Sequence, residues 1–165
     1  NCCKPKKSKH PPQTACHPGQ AAHYVTMAQH GLRILKSLFS LPLWVQVWML
    51  LILIPANVSG LFFLETTSGQ WIALLGSGAL AVNTVLVLIN GGFTRALALP
   101  HLLFWIPLEM VLLFRILRVE MDFVEFSLTL AVLIVNAISL IFDGLDAKRW
   151  YAGEKGIIGM DDKPL

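Results

Sequence analysis

Residues 71–90 read WIALLGSGALAVNTVLVLIN, a stretch that decides the fold because it carries no charged side chain. A helix of about 20 apolar residues spans the ~30 Å hydrocarbon core of a bilayer. Backbone groups in lipid must find partners within their own segment, and a run without strand-like alternation can do so only as a helix. The stretch therefore predicts a transmembrane helix.

Three more apolar runs of similar length accompany it, at residues 41–64, 96–114 and 124–142. The links between the runs are short, which makes consecutive helices antiparallel neighbours. Only 14% of all residues are charged, whereas about 25% is typical of soluble domains. The sequence predicts an all-α integral membrane protein in which residues 41–143 form a four-helix transmembrane bundle with short loops.

The segments outside the bundle have a different composition. Residues 1–26 contain four prolines and no periodic apolar pattern, so we predict a disordered or non-native polar tail. Residues 27–40 place apolar side chains at helical spacing opposite two cations. This predicts an amphipathic interfacial helix or, alternatively, a plain extension of the first span. Residues 144–165 are predicted to form a cytoplasmic C-terminal tail that begins as a helix leaving the membrane.

The distribution of Lys and Arg predicts the orientation of the bundle. If there are four spans, one side collects Arg33, Lys36, Arg95, Lys148, Arg149 and Lys155. The opposite side has no Lys or Arg in its first link, ETTSGQ, but carries Arg115 and Arg118 in the other. Cytoplasmic loops are enriched in Lys and Arg, so we predict that both termini are cytoplasmic. No basic face on a soluble fold is present, and no nucleic-acid partner is predicted.

Polar residues inside the spans are the candidate functional positions, because polar groups in hydrocarbon are costly. Counting residues from the ends of each span predicts three groups by depth. These are an inner polar layer of Gln46, Asn83, His101 and Asn136, an outer group of Asn57 and Glu109, and Asp143 at the inner rim. The amides are expected to act as ordinary hydrogen-bonding glue between helices, worth about 0.6 to 2 kcal/mol each.

Two of these candidates are ionisable within the spans. A buried carboxylate such as Glu109 must be paired, protonated or hydrated. Glu109 is either a functional group or a structural one, which forms a hydrogen bond or a salt bridge to Arg115 or Arg118. His101 is either functional or a satisfied hydrogen-bond partner. The segment IPANVSG at residues 54–60 admits a simple proline kink or a broken helix with free carbonyls that could bind an ion.

No cofactor site is evident. Membrane haem usually needs two facing histidines, and the spans contain only His101. The N-terminal tail holds soft ligands whose spacing matches no structural zinc pattern, so no metal site is predicted; they are Cys2, Cys3, His10, Cys16, His17 and His23. Lipid is the bound molecule that we expect.

Two functions fit this pattern best. The first is a non-catalytic accessory or scaffold subunit of a membrane complex, with no enzymatic activity of its own. The alternative is a homo-oligomeric ion channel or small transporter that uses Glu109, His101 and the asparagine layer. A membrane enzyme or redox subunit ranks third. The expected partners are the lipid bilayer and either other membrane-protein subunits or further copies of the chain.

Overall fold

The computed structural model describes residues 18–159, which are almost entirely helical. We number the helices along the chain, counting irregular turns as part of the helix that contains them. They are α1 Pro18–Ser40, α2 Leu43–Phe62, α3 Thr67–Asn90, α4 Arg95–Arg118 and α5 Phe123–Tyr151. Within the described residues the only β pairing is an isolated bridge between Thr94 and Ile157.

Helices α2 to α5 are each long and apolar enough to cross a membrane. The predicted four-helix architecture is therefore present, with antiparallel helices joined by tight turns. The bounds differ from those of the apolar runs, because a helix ends where its backbone is capped and not where hydropathy falls. Helix α3 begins early because the Thr66 hydroxyl accepts a hydrogen bond from Gly69 N, and α5 continues through residues 143–151 as a regular helix.

The bundle has a small apolar core and an apolar perimeter. The core consists of Leu53, Ile72, Ala79, Trp105, Leu108, Leu112 and Val132. Helices α4 and α5 share the most extensive interface. Outward-facing apolar side chains are heavily exposed along the whole bundle, for example Leu51, Ile89, Leu117 and Ile141. An apolar perimeter of this extent marks an interaction surface, for a membrane or for other proteins.

Helix α2 is irregular around Pro55. A π-helical segment, Trp48–Leu53, precedes the proline, and a 3-10 turn, Ser59–Phe62, ends the helix. Proline has no N–H to donate to the preceding turn, and the wider π turn accommodates that missing hydrogen bond. The irregularity shifts the residues beyond it relative to a regular helix.

Helix α1 is a separate helix and not an extension of α2, because the chain turns at Leu41 and Pro42 between them. It begins at Pro18, so residues 18–26, which were expected to be irregular, are helical; proline is well tolerated in a first helical turn. Residues 1–17 and 160–165 lie outside the described part of the chain. In the segment expected to be amphipathic, the apolar side chains of Leu32 and Phe39 are exposed, as are Arg33 and Lys36, whereas Ser37 is buried.

Helix α1 and the C-terminal segment are held against one end of the bundle. We call this end, where α1, residues 91–94 and residues 152–159 meet, the basal end, and the opposite end the apical end. The Ser37 hydroxyl donates to Ile158 O and accepts from Phe93 N, each at 3.0 Å. Ile158 N donates to Phe93 O at 2.8 Å. One serine thus ties α1 to both the α3–α4 turn and the C-terminal segment.

Candidate functional site

One face of α5 carries polar side chains along nearly the whole helix. Their spacing alternates between four and three residues, which keeps them on a single face. Among positions with this spacing, only Val132 is apolar. We call the polar members the α5 stripe; they are Glu125, Thr129, Asn136, Ser139, Asp143 and Asp146. The Thr129 hydroxyl bonds to Glu125 O in its own helix, and each of the other members bonds to a residue of α2 or α4.

A pair of amides forms the centre of the stripe. Asn57 Nδ2 donates to Asn136 Oδ1 at 2.7 Å, and Asn136 Nδ2 donates back to Asn57 Oδ1 at 3.1 Å. Both side chains are fully buried. Gly76 of α3 makes the approach possible, because a Cβ atom there would lie 2.7 Å from Asn57 Oδ1. The pair therefore joins α2 to α5 directly, with α3 packed against it.

The carbonyls near the irregular part of α2 also have partners. Asn57 Nδ2 donates a second hydrogen bond to Leu53 O at 3.0 Å, and the Ser77 hydroxyl donates to Asn57 O at 3.2 Å. These two carbonyls are thus used within the protein. Neither of them is left without a hydrogen-bond donor beside Asn57.

A second cluster lies toward the basal end. His101 Nδ1 lies 3.1 Å from both carboxylate oxygens of Asp143, and its Nε2 lies 2.6 Å from Asn83 Nδ2. The imidazole also stacks on Trp105 with ring centroids 3.8 Å apart. This contact pattern describes a histidine whose two nitrogens are both engaged. Of the two interpretations of His101, the geometry matches the satisfied hydrogen-bond partner.

Ion pairs close both ends of the bundle. At the apical end, Arg115 bonds to Glu125 at 2.7 Å and to the Ser68 hydroxyl at 2.8 Å, while Ser68 N donates to Glu125 at 2.9 Å. At the basal end, Arg95 pairs with Asp146 of the stripe and lies 2.9 Å from Glu154. Charged members of the stripe therefore lie near the two ends, and its neutral members lie between them.

Glu109 stands apart from these clusters. It is partly buried, and its Oε1 atom is shielded from solvent but accepts no hydrogen bond from the described residues. The alternative of a salt bridge to Arg115 or Arg118 is not found among the described residues, and the Arg115 guanidinium bonds to Glu125 instead. Trp105 Nε1, one helical turn away, is likewise buried without a partner. Glu109 is thus the candidate carboxyl group whose bonding the bundle leaves incomplete.

The predicted depth groups are partly wrong. Asn57 and Asn136 were assigned to different groups, yet they bond to each other. The count failed because α5 extends well past the apolar run, which places Asn136 near the middle of the helix, and because α2 is shorter and irregular. Gln46 is not part of a layer, since its side chain bonds to Leu41 O at 2.7 Å. Only Asn83 and His101 lie together as expected.

Several interacting residues were missed from the sequence. Trp48 Nε1 donates to the Ser139 hydroxyl at 3.1 Å, joining α2 to the stripe. Ser68 and Glu125 lie at the ends of the apolar runs, where polar residues attract no notice. The sequence nevertheless contained the pattern of the α5 stripe. Thr129, Asn136 and Asp143 are spaced by seven residues, and the alternating spacing appears once Ser139 and Asp146 are added to them.

Within the described residues, no group of three or more histidine, cysteine, aspartate or glutamate side chains could hold a metal ion. The candidate ligands Cys2, Cys3, His10, Cys16 and His17 lie outside those residues. Compared with models of known protein families, with curated proteins and with solved structures, the chain matches none. Inferences about function therefore rest on the geometry of the bundle.

Proposed function

We propose that the chain is a multi-pass integral membrane protein, with both termini in the cytoplasm, that serves as a non-catalytic accessory or scaffold subunit of a membrane complex. The observation that carries this proposal is the direct bonding of Asn57 to Asn136 at the centre of the bundle. Two fully buried amides that satisfy each other act as a structural tie. A pathway for a solute would need those groups to be available to it.

The α5 stripe supports the same conclusion. Lipid tails are as apolar as leucine, so little hydrophobic force drives helix association inside a bilayer, and hydrogen bonds and close packing act in its place. The stripe bonds to α2 through Asn136 and Ser139, and to α4 through Asp143 and Glu125. Such a bundle is suited to holding a fixed shape against partner helices.

The cytoplasmic orientation is supported by the distribution of exposed cations. Arg33, Lys36, Lys148 and Arg149 are exposed at or near the basal end. At the apical end, Arg115 is largely buried against Glu125, which leaves Arg118 as the one exposed cation among the described residues there. Positive charge that faces the surrounding solution is therefore concentrated at the basal end, as it is on the cytoplasmic side of membrane proteins.

Purification from the native membrane in a mild detergent tests the subunit role. We expect a companion membrane protein to accompany the tagged chain at a constant ratio through two different chromatographic steps. The Asn136→Ala variant should lose the companion because its bundle is loosened, whereas the Gln46→Ala variant should retain it. Recovery of the wild-type chain alone, as a homo-oligomer of defined size, would contradict the subunit role.

The alternative, a homo-oligomeric channel or transporter, is favoured by one observation, the unpartnered Oε1 atom of Glu109. An ionisable group within a membrane span is a candidate for ion or proton transfer. Because that carboxyl group makes no bond in the described bundle, Glu109→Gln should leave the stability nearly unchanged. A loss of flux in that variant would therefore report on transport and not on folding.

A flux assay in vesicles separates the two roles. Wild-type protein, Glu109→Gln and the matched control Glu120→Gln, which changes an exposed carboxylate between α4 and α5, would be reconstituted at equal density. The subunit role predicts no flux above that of empty vesicles for all three proteins. Flux that is abolished by Glu109→Gln but retained by Glu120→Gln would establish the transport role instead.

A further inference from the structure

A groove of about 370 Å³ lies between α3 and α4 in the basal half of the bundle. Its walls include Leu86 of α3 and Leu103 and Phe104 of α4, and Trp150 of α5 lies at its basal end. No lining residue has a charged, hydroxyl or amide side chain. Leu103 is 70% exposed, so the groove opens to the perimeter of the bundle. This lining suits a hydrocarbon chain, because a polar ligand would find few hydrogen-bond partners.

The basal end next to the groove has an excess of exposed positive charge. Its nearby acidic side chains are already engaged, because Arg95 binds Asp146 and Glu154 and His101 contacts Asp143. In contrast, the exposed cations there form no salt bridge within residues 27–159; they are Arg33, Lys36, Lys148, Arg149 and Lys155. The charge of this end is therefore complementary to an anionic surface.

Lys155 connects the positive charge to the groove. Its amine lies 4.8 Å from the centre of the Trp150 ring, and that ring is part of the groove lining. A cation is attracted to the face of an indole, which keeps the amine near the groove opening. Tryptophan side chains are common at the depth of lipid headgroups. The order of these groups matches that of a phospholipid. The groove corresponds to the acyl chain, the indole to the interfacial region, and the amine to the phosphate.

We propose that this groove binds one acyl chain of an anionic phospholipid, with the lipid phosphate beside Lys155. The proposal rests on the membrane location proposed above but not on the subunit or transport role. The acyl chain of a lipid without net charge would fill the groove equally well, but its headgroup would gain no binding affinity from the positive charge of Lys155. A quinone would need polar partners for its carbonyl oxygens, which the lining side chains offer poorly.

Photo-crosslinking in lipid nanodiscs tests this site. The probes are phosphatidylglycerol and phosphatidylcholine, each with a diazirine on one acyl chain. Cross-links of the phosphatidylglycerol probe should map to peptides that contain Leu86 and Leu103. Lys155→Gln should lower the yield by about fivefold, the factor that corresponds to one lysine near an anionic surface. Lys148→Gln removes an exposed charge at the same end and should have a much smaller effect.

A second pair of variants tests the groove itself. Leu86→Trp fills the groove and should abolish the specific cross-link, whereas Leu117→Trp, which changes an exposed perimeter position at the apical end, should preserve it. Equal yields with both lipids, cross-links spread evenly around the perimeter, or a quinone recovered with the purified protein would overturn the proposal. Absence of cross-links on every face would instead refute the membrane location.

Discussion

The mutual bonding of Asn57 and Asn136 makes a quantitative prediction about stability. Each amide has its main side-chain partner on the other helix, at 2.7 and 3.1 Å. Replacement of either residue by alanine removes both hydrogen bonds and leaves the surviving amide incompletely bonded in a fully buried position. Replacement of both residues removes the bonds but leaves no such orphan. The two substitutions should therefore be strongly non-additive.

The expected magnitude follows from the two contributions. Interhelical hydrogen bonds in membranes average about 0.6 kcal/mol, with a maximum near 1.7 kcal/mol. A buried polar group left without its partner costs about 1–3 kcal/mol. Asn136→Ala should therefore lower the free energy of unfolding by about 2–3 kcal/mol. The double variant contains no orphaned amide, so its loss of unfolding free energy should be little larger than that of either single variant. The coupling energy between the two substitutions should therefore be about 2 kcal/mol.

Equilibrium unfolding in mixed micelles, with SDS as the denaturant and far-UV circular dichroism as the signal, measures these values. Gln46→Ala provides the matched control, because that amide bonds only to Leu41 O of the adjoining turn. Its effect should be small and additive with that of Asn136→Ala. If Asn57→Ala and Asn136→Ala add to within about 0.5 kcal/mol, the two amides do not interact in the folded protein and the central tie is wrong.

Three further predictions follow from other contacts. Gly76→Ala should destabilise the bundle by about 1–3 kcal/mol in the same unfolding assay, because its Cβ would overlap Asn57. Gly144→Ala should be neutral or slightly stabilising, because a Cβ there meets no atom within 4 Å. Arg115→Ala should lower the free energy of unfolding by about 3 kcal/mol because it leaves Glu125 unpaired. Arg115→Lys should lower it by less, since an ammonium reproduces only part of the planar guanidinium contacts. Ser37→Ala should speed hydrogen exchange at Phe93 N while changing global stability by only about 1 kcal/mol.

The all-helical fold with four long apolar helices was predictable because it depends on hydropathy and length. A run without charges such as residues 71–90 leaves a helix as the only practical spanning form, and short links fix the antiparallel order. The limits of the helices were less predictable. The helical continuation of α5 through residues 143–151 was expected, and Gly144 does not interrupt it. The helix starts and irregular turns were not. Helix α1 begins at Pro18, where proline was interpreted as a breaker although it is also common in first turns.

The candidate residues were easier to identify than their partners. Costly polar groups in apolar runs stand out, and Asn57, Asn83, His101, Asn136 and Asp143 do take part in the buried clusters. Which residues meet depends on depth, and depth was counted from the ends of the apolar runs on the assumption of regular helices. A π turn, a 3-10 turn and one long helix were enough to pair residues that the count had separated. Partners at the ends of the spans carried no signal in hydropathy.

The arrangement along α5 suggests how this bundle specifies a single packing. Helices with apolar faces can slide past one another in lipid at little cost, because one apolar contact replaces another. A stripe of different polar groups removes that freedom, since an amide, a hydroxyl and a carboxylate each match only a complementary partner at one depth. A shift of one turn would bring Asn136 out of contact with Asn57 and Asp143 out of contact with His101 at the same time. The position of α5 against its neighbours is therefore fixed by several bonds together, in which Glu109 takes no part.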